Sequence, residues 1–177
     1  MPTDEIGTMG RLGHRALFLA AVALIVFVRI LPIDFGGGRM PAPDPLICLI
    51  FVWVLRRPGD LPVVLVAAVA LFADVIFVRP LGLWALMTVA GAEVLRRRHH
   101  LTSGQPFVAE WARVAAVIAA MTLARVAILG VTLVPHPPLG AVVAEAAATI
   151  LAYPVVALAC VWGLGVRARS GSHEVRP

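Results

Sequence analysis

Apolar residues fall along this chain in six runs, at residues 16–33, 45–55, 61–78, 81–95, 111–134 and 139–166, separated by short breaks carrying arginine, proline, glycine or aspartate. A bilayer core is about 30 Å thick, so a spanning helix needs roughly 20 apolar residues, with a range near 17–25. The first, third, fifth and sixth runs are long enough by themselves. The second makes only about 17 Å of helix. Extending it back towards Met40 meets Pro41, Pro43 and Pro45, which have no backbone N–H to donate. It reads as a short or partly buried span, with a re-entrant hairpin as the alternative. The fourth run is also short and follows the third across Arg79-Pro80, so that turn is tight. The pattern predicts an all-α polytopic membrane protein of about six transmembrane helices, with four long helices plus short elements as the fallback.

Composition agrees. Of 177 residues, 60% are hydrophobic and 14% charged, against about 45–50% and 25% in soluble domains. One small core cannot hide so much apolar surface, and disorder requires low hydrophobicity. The length suits one domain.

Fifteen arginines and no lysine stand against ten acidic residues. In a soluble protein such a balance would suggest nucleic acid. Here the arginines sit between apolar runs, so they report topology and no nucleic-acid partner is expected. Ten of them (Arg11, Arg15, Arg56, Arg57, Arg96, Arg97, Arg98, Arg167, Arg169 and Arg176) fall on one side, whereas only Arg39 and Arg79 lie in the alternate connections. By the positive-inside rule both termini face the cytoplasm. The expected organisation is a cytoplasmic segment at 1–15, a membrane domain at 16–166 and a disordered cytoplasmic tail at 167–177. The first run ends in Pro32-Ile33-Asp34 with no small-residue cleavage site, so it reads as a retained helix. Residues 34–44, with Gly36-Gly37-Gly38, read as a flexible outer loop, and His99-His100 as part of a headgroup-facing loop.

Chemistry-bearing motifs are sparse. Gly36-Gly37-Gly38 lacks the Lys and Ser/Thr of a phosphate loop. No nucleophile elbow or paired metal-binding histidine motif occurs, and neither a cofactor, a metal nor an enzymatic activity is expected. Cys48 and Cys160 fall at different depths and read as small packing residues rather than a disulfide.

Besides Arg113, just inside the cytoplasmic edge of the fifth run, five charged residues lie within the apolar runs, each costing roughly 2.5–3.5 kcal/mol at a helix centre unless paired or hydrated. Arg29 and Asp74 lie at equal depth near the outer ends of the first and third runs, opposite in sign, and read as a pair. Arg125 and Glu145 are a second pair within reach, and Glu93 is spaced to meet Arg96 or Arg97. Three roles remain open for these charges: interhelical ion pairs, a polar cavity, or contact with a partner's membrane helix. The stripes Ala116, Ala120, Ala124 and Ala144, Ala148, Ala152 permit close helix approach in lipid, either inside the protein or against a partner. Trp53 and Trp111 read as interface anchors, and only Trp84 is placed for an outward pocket.

The segments Pro43–Asp60 and Leu71–Leu86 resemble the bacterial rod shape-determining membrane protein family MreD. The matching positions are Pro43-Asp44 opening the second span, Trp53 near its end, Pro58 in the turn, Asp74 late in the third span, Leu81-Gly82 after it, and Tyr153-Pro154 in the last helix. The family often has small polar residues between the Asp and the Leu-Gly, where this chain has bulky Phe77-Val78-Arg79-Pro80. The resemblance implies a non-enzymatic inner-membrane component of the lateral wall-elongation machinery. Its implied partners are the bitopic MreC and, through it, a RodA-type glycosyltransferase, a penicillin-binding transpeptidase and MreB filaments, within membrane lipid. It also implies a six-helix fold like that of the substrate-binding subunits of energy-coupling-factor transporters. The alternative is therefore a substrate-capturing subunit of a vitamin-type transporter, which requires an outward cavity lined by aromatic and polar groups.

Overall fold

The computed structural model describes residues 3–31, 42–98, 106–131 and 138–163, with side chains from residue 12 onward. It is all-helical, with α1 at Thr3–Ile30, α2 at Pro45–Arg56, α3 at Val63–Ile76, α4 at Leu83–Arg97, α5 at Phe107–Val131 and α6 at Leu139–Gly163. Each apolar run becomes one helix, and no strand occurs among the described residues. Helix α1 starts at Thr3 rather than at residue 16, since no proline interrupts the segment. The expectations for Gly36-Gly37-Gly38, for His99-His100 and for the tail at 167–177 lie outside the described residues.

Three helical segments are long and apolar enough to cross a membrane: Leu12–Ile30 of α1, α5 and α6. The third run, expected to suffice alone, yields a helix of only 14 residues, about 21 Å long. Pro62 sets its start in extended conformation. It ends at Ile76 with Phe77 as its cap, and Pro80 bars any continuation beyond that turn, because the residue before proline is kept out of the helical region.

Successive helices alternate in direction. The ends of α1, α3 and α5 and the starts of α2, α4 and α6 share what is called here the upper end. Helix α2 occupies the centre, packed by α1, α4 and α6, and every residue from Leu46 to Leu55 is buried. A helix apolar on all faces belongs inside, which explains how 12 residues suffice. Pro45 stands at its first turn, where no N–H is needed, and the Asp44 side chain caps the helix by accepting from Leu46 N. Trp53 is therefore no interface anchor. Having no lipid-facing side on α2, it is fully buried with its ring edge-on to Phe18 at 5.3 Å.

The periphery inverts the pattern of a soluble protein. Leu24, Phe27, Val64, Phe72, Val75, Leu86, Leu123 and Leu151 are exposed, while Asp44, Asp60, Asp74, Thr88 and Thr149 are buried. So large an apolar exterior requires an apolar surrounding.

At the centre, Gly91 allows α4 to approach α5 and α2. A Cβ there would lie 2.7 Å from Met121 Sδ and 3.0 Å from both Phe51 Cζ and Val117 Cγ1. The methionine can yield, but the buried phenylalanine cannot. Gly91→Val is expected to cost about 1–3 kcal/mol by overpacking, lowering the thermal unfolding midpoint in detergent. A midpoint equal to wild type would contradict the close approach.

Candidate functional site

The polar structure of the upper end is built around Asp44. Its Oδ1 lies 3.4 Å from Arg29 Nη1 and its Oδ2 3.1 Å from Arg79 Nη1, with the carboxylate side chain 6% exposed. Arg29 also donates to the Pro43 carbonyl at 3.5 Å. Asp44 N–H donates to Thr149 Oγ1 at 3.0 Å, and that hydroxyl donates to Glu145 O at 2.8 Å, joining α2 to α6. Both guanidiniums lie over the Phe77 ring, at 5.0 Å for Arg29 and 5.4 Å for Arg79, and Arg79 also lies 4.9 Å from the Trp84 ring centre. Two cations thus share one buried carboxylate and two aromatic faces.

The expected pair of Arg29 with Asp74 is not formed. Asp74 is fully buried, and its Oδ2 accepts from Gly82 N at 2.9 Å and Ala85 N at 3.3 Å. The carboxylate thereby satisfies N–H groups at the start of α4, where the helix dipole favours negative charge. Arg29 instead faces α2, the helix against which α1 packs. Equal depth was legible from helix rise, but lateral neighbours were not. The arrangement accounts for the spacing of Asp74 to Leu81-Gly82. Gly82 takes φ +85° as it enters α4, a left-handed conformation costly for other residues, while the Leu81 side chain is exposed.

Helix α3 closes in the same turn. Arg79 N donates to Asp74 O at 3.0 Å, a six-residue closure with Val78 in left-handed conformation at φ +51°. This closure normally carries glycine at that position. A β-branched residue there is strained, and the Val78 side chain is 91% exposed. The bulky Phe77-Val78-Arg79-Pro80 segment is therefore strained at Val78, while Phe77 and Arg79 supply the aromatic face and cation of the cluster.

Beside this cluster is a cavity of about 290 Å³ between α2, α4, α5 and α6. Asp44, Arg79, Trp84, Arg125, Glu145 and Thr149 supply its polar and aromatic lining, and Ile47, Met87, Ile118 and Met121 supply apolar wall. Arg125 Nη1 meets Glu145 Oε2 at 3.5 Å, as the sequence suggested. Glu93 likewise pairs with Arg97 at 3.2 Å and Arg96 at 3.9 Å.

The lower end holds a second network. Tyr153 Oη donates to Glu110 Oε1 at 2.8 Å, and Arg56 lies 3.5 Å from the same oxygen. Pro154 lacks the N–H that would bond Ile150 O, and Trp111 Nε1 donates to that freed carbonyl at 2.9 Å. The Tyr153-Pro154 pair thus locks α6 to α5 twice, and half-buried Trp111 acts as a helix tie. Glu110 was not singled out in the sequence, because it precedes the apolar run. Pro58 sits in the turn closed by Asp60 N donating to Arg57 O at 3.1 Å. Cys48 and Cys160 are buried free thiols. Ala116 and Ala120 are exposed, with Ala124 half-buried, so the α5 stripe runs along the outside of the bundle. Ala144, Ala148 and Ala152 are half-buried.

Replacing Val78 by glycine should relieve strain. Val78→Gly is expected to raise stability by about 1 kcal/mol, the left-handed penalty less the added freedom of the unfolded chain. Thermal unfolding in detergent measures it, and a lowered midpoint would contradict the strained turn.

No family model matches the chain, and neither does any curated protein or solved structure.

Proposed function

We propose that this chain is a non-enzymatic scaffold of the lateral cell-wall elongation machinery in a bacterial inner membrane, an MreD-like multi-pass protein with six spans and cytoplasmic termini. The observation that carries this reading is the convergence of the motif residues. Pro43 and Asp44 bind Arg29 and Arg79, and Asp74 holds Gly82, so residues scattered over 40 positions build one end of the bundle. Tyr153 and Pro154 each contribute a specific tie as well. In this reading the exposed Ala116 and Ala120 stripe receives the membrane helix of an MreC-type bitopic partner, through which a RodA-type glycosyltransferase, a penicillin-binding transpeptidase and MreB filaments associate.

A second reading, a substrate-capturing subunit of a vitamin-type transporter with the energy-coupling-factor fold, is favoured by one observation: the cavity at the upper end with Trp84 and four charged side chains on its wall. The two readings differ in their partners. Affinity purification of tagged protein from native membranes in mild detergent, followed by mass spectrometry, is expected to recover an MreC-like single-span protein and wall synthases. Ala116→Leu with Ala120→Leu is expected to reduce that recovery severalfold while the bundle stays folded. Recovery of an ATPase pair with a coupling membrane subunit, and no wall-synthesis protein, would overturn the scaffold reading in favour of the second.

A further inference from the structure

We infer that the upper cavity binds a compact zwitterion carrying an apolar body, its anionic group on Arg125 and its ammonium on Glu145. The two side chains line the cavity from neighbouring helices, each 31% exposed, and meet through a single 3.5 Å contact. A guanidinium offers five donors and a carboxylate about four acceptor sites. Among the described residues, neither Arg125 nor Glu145 has another side-chain partner. A positive and a negative group therefore stand a few ångströms apart with spare hydrogen-bonding capacity, which is the spacing of the two charges in an α-amino acid or an ethanolamine phosphate.

The pairing of charges selects against singly charged ligands. Arg79 is already held by Asp44 at 3.1 Å and lies over Trp84. Arg125 and Glu145 offset one another, so an anion on Arg125 would stand beside Glu145, and a cation on Glu145 would stand beside Arg125. A zwitterion leaves the balance intact. Ile118 and Met121 form apolar wall below the pair, and the volume of about 290 Å³ lies at the lower end for ligand pockets. This chemistry is shared by a free apolar amino acid and by the headgroup of phosphatidylethanolamine. It holds whichever machinery the chain serves, since the binding test reads the cavity and the co-purification reads the partners.

The test uses the full chain in two kinds of nanodisc. In phosphatidylglycerol discs, tritiated L-phenylalanine is titrated by scintillation proximity, with 3-phenylpropionate and phenethylamine as competitors lacking one charge each. In discs containing phosphatidylethanolamine, native mass spectrometry reads retained lipid. The expected result is saturable L-phenylalanine binding, which identifies a free ligand, or one retained phosphatidylethanolamine, which identifies a headgroup. Whichever is bound should be weakened at least about tenfold in the Arg125→Leu, Glu145→Leu double variant, and each single-charge competitor should be at least about tenfold weaker than L-phenylalanine. Removing both charges together leaves no unpaired ion. Ala146→Phe, which fills the cavity and keeps both charges, should also abolish binding. Absence of both ligands, retention unchanged in the variants, or equal competition by the singly charged analogues would overturn the inference.

Discussion

One carboxylate organises the upper half of this protein. Asp44 lies between Arg29 and Arg79 in a bundle with an apolar exterior, where an unpaired charge is expensive and water is scarce. Because the same side chain caps α2 and its backbone bonds Thr149, the ends of α1 and α3 and the middle of α6 are fixed relative to α2 by one residue. Asp74 performs the complementary task one helix away, neutralising the start of α4 through backbone N–H groups rather than through a cation. The two acids thus divide the work: one satisfies side-chain cations, the other a helix terminus.

The central placement of α2 follows from the same economy of polar groups. A helix of 12 residues is too short to face lipid across a bilayer, but with all sides covered and both ends anchored it needs only to match its neighbours. Its lower end is held where Arg56 meets Glu110, itself bonded by Tyr153. Proline plays two opposite parts. Pro45 starts α2 without loss, whereas Pro154 removes a bond inside α6 and leaves a carbonyl that Trp111 takes up. Between the two networks, Gly91 sets how closely α4 can lie against α5 and α2.

Much of this was legible in the chain. The six helices followed from hydropathy, which is local. Arg125 with Glu145 followed because α5 and α6 are consecutive antiparallel helices, so equal depth and adjacency come together. Glu93 with Arg96 and Arg97 followed from helical spacing. Arg29 with Asp74 failed for the converse reason: depth along a helix is written in residue number, but which helices are lateral neighbours is not. Trp53 failed because its position near a helix end suits an interface anchor and a core residue equally. The cavity was legible at Trp84 and, as one of the roles left open, at Arg125 and Glu145, but its remaining walls depend on how α5 and α6 meet α2. Val78 was visible as a departure from the resembled pattern, but its strain needed the backbone.

The central claim is that Asp44, not Asp74, neutralises Arg29. Double-mutant cycles on unfolding free energy in detergent test it directly. The account predicts that Arg29→Ala and Asp44→Ala couple by about 1 kcal/mol or more, with the double variant regaining part of the loss from Asp44→Ala, because Arg79 alone then remains unpaired. Arg29→Ala and Asp74→Ala should add to within about 0.5 kcal/mol. Strong coupling of Arg29 to Asp74, with additivity towards Asp44, would contradict it.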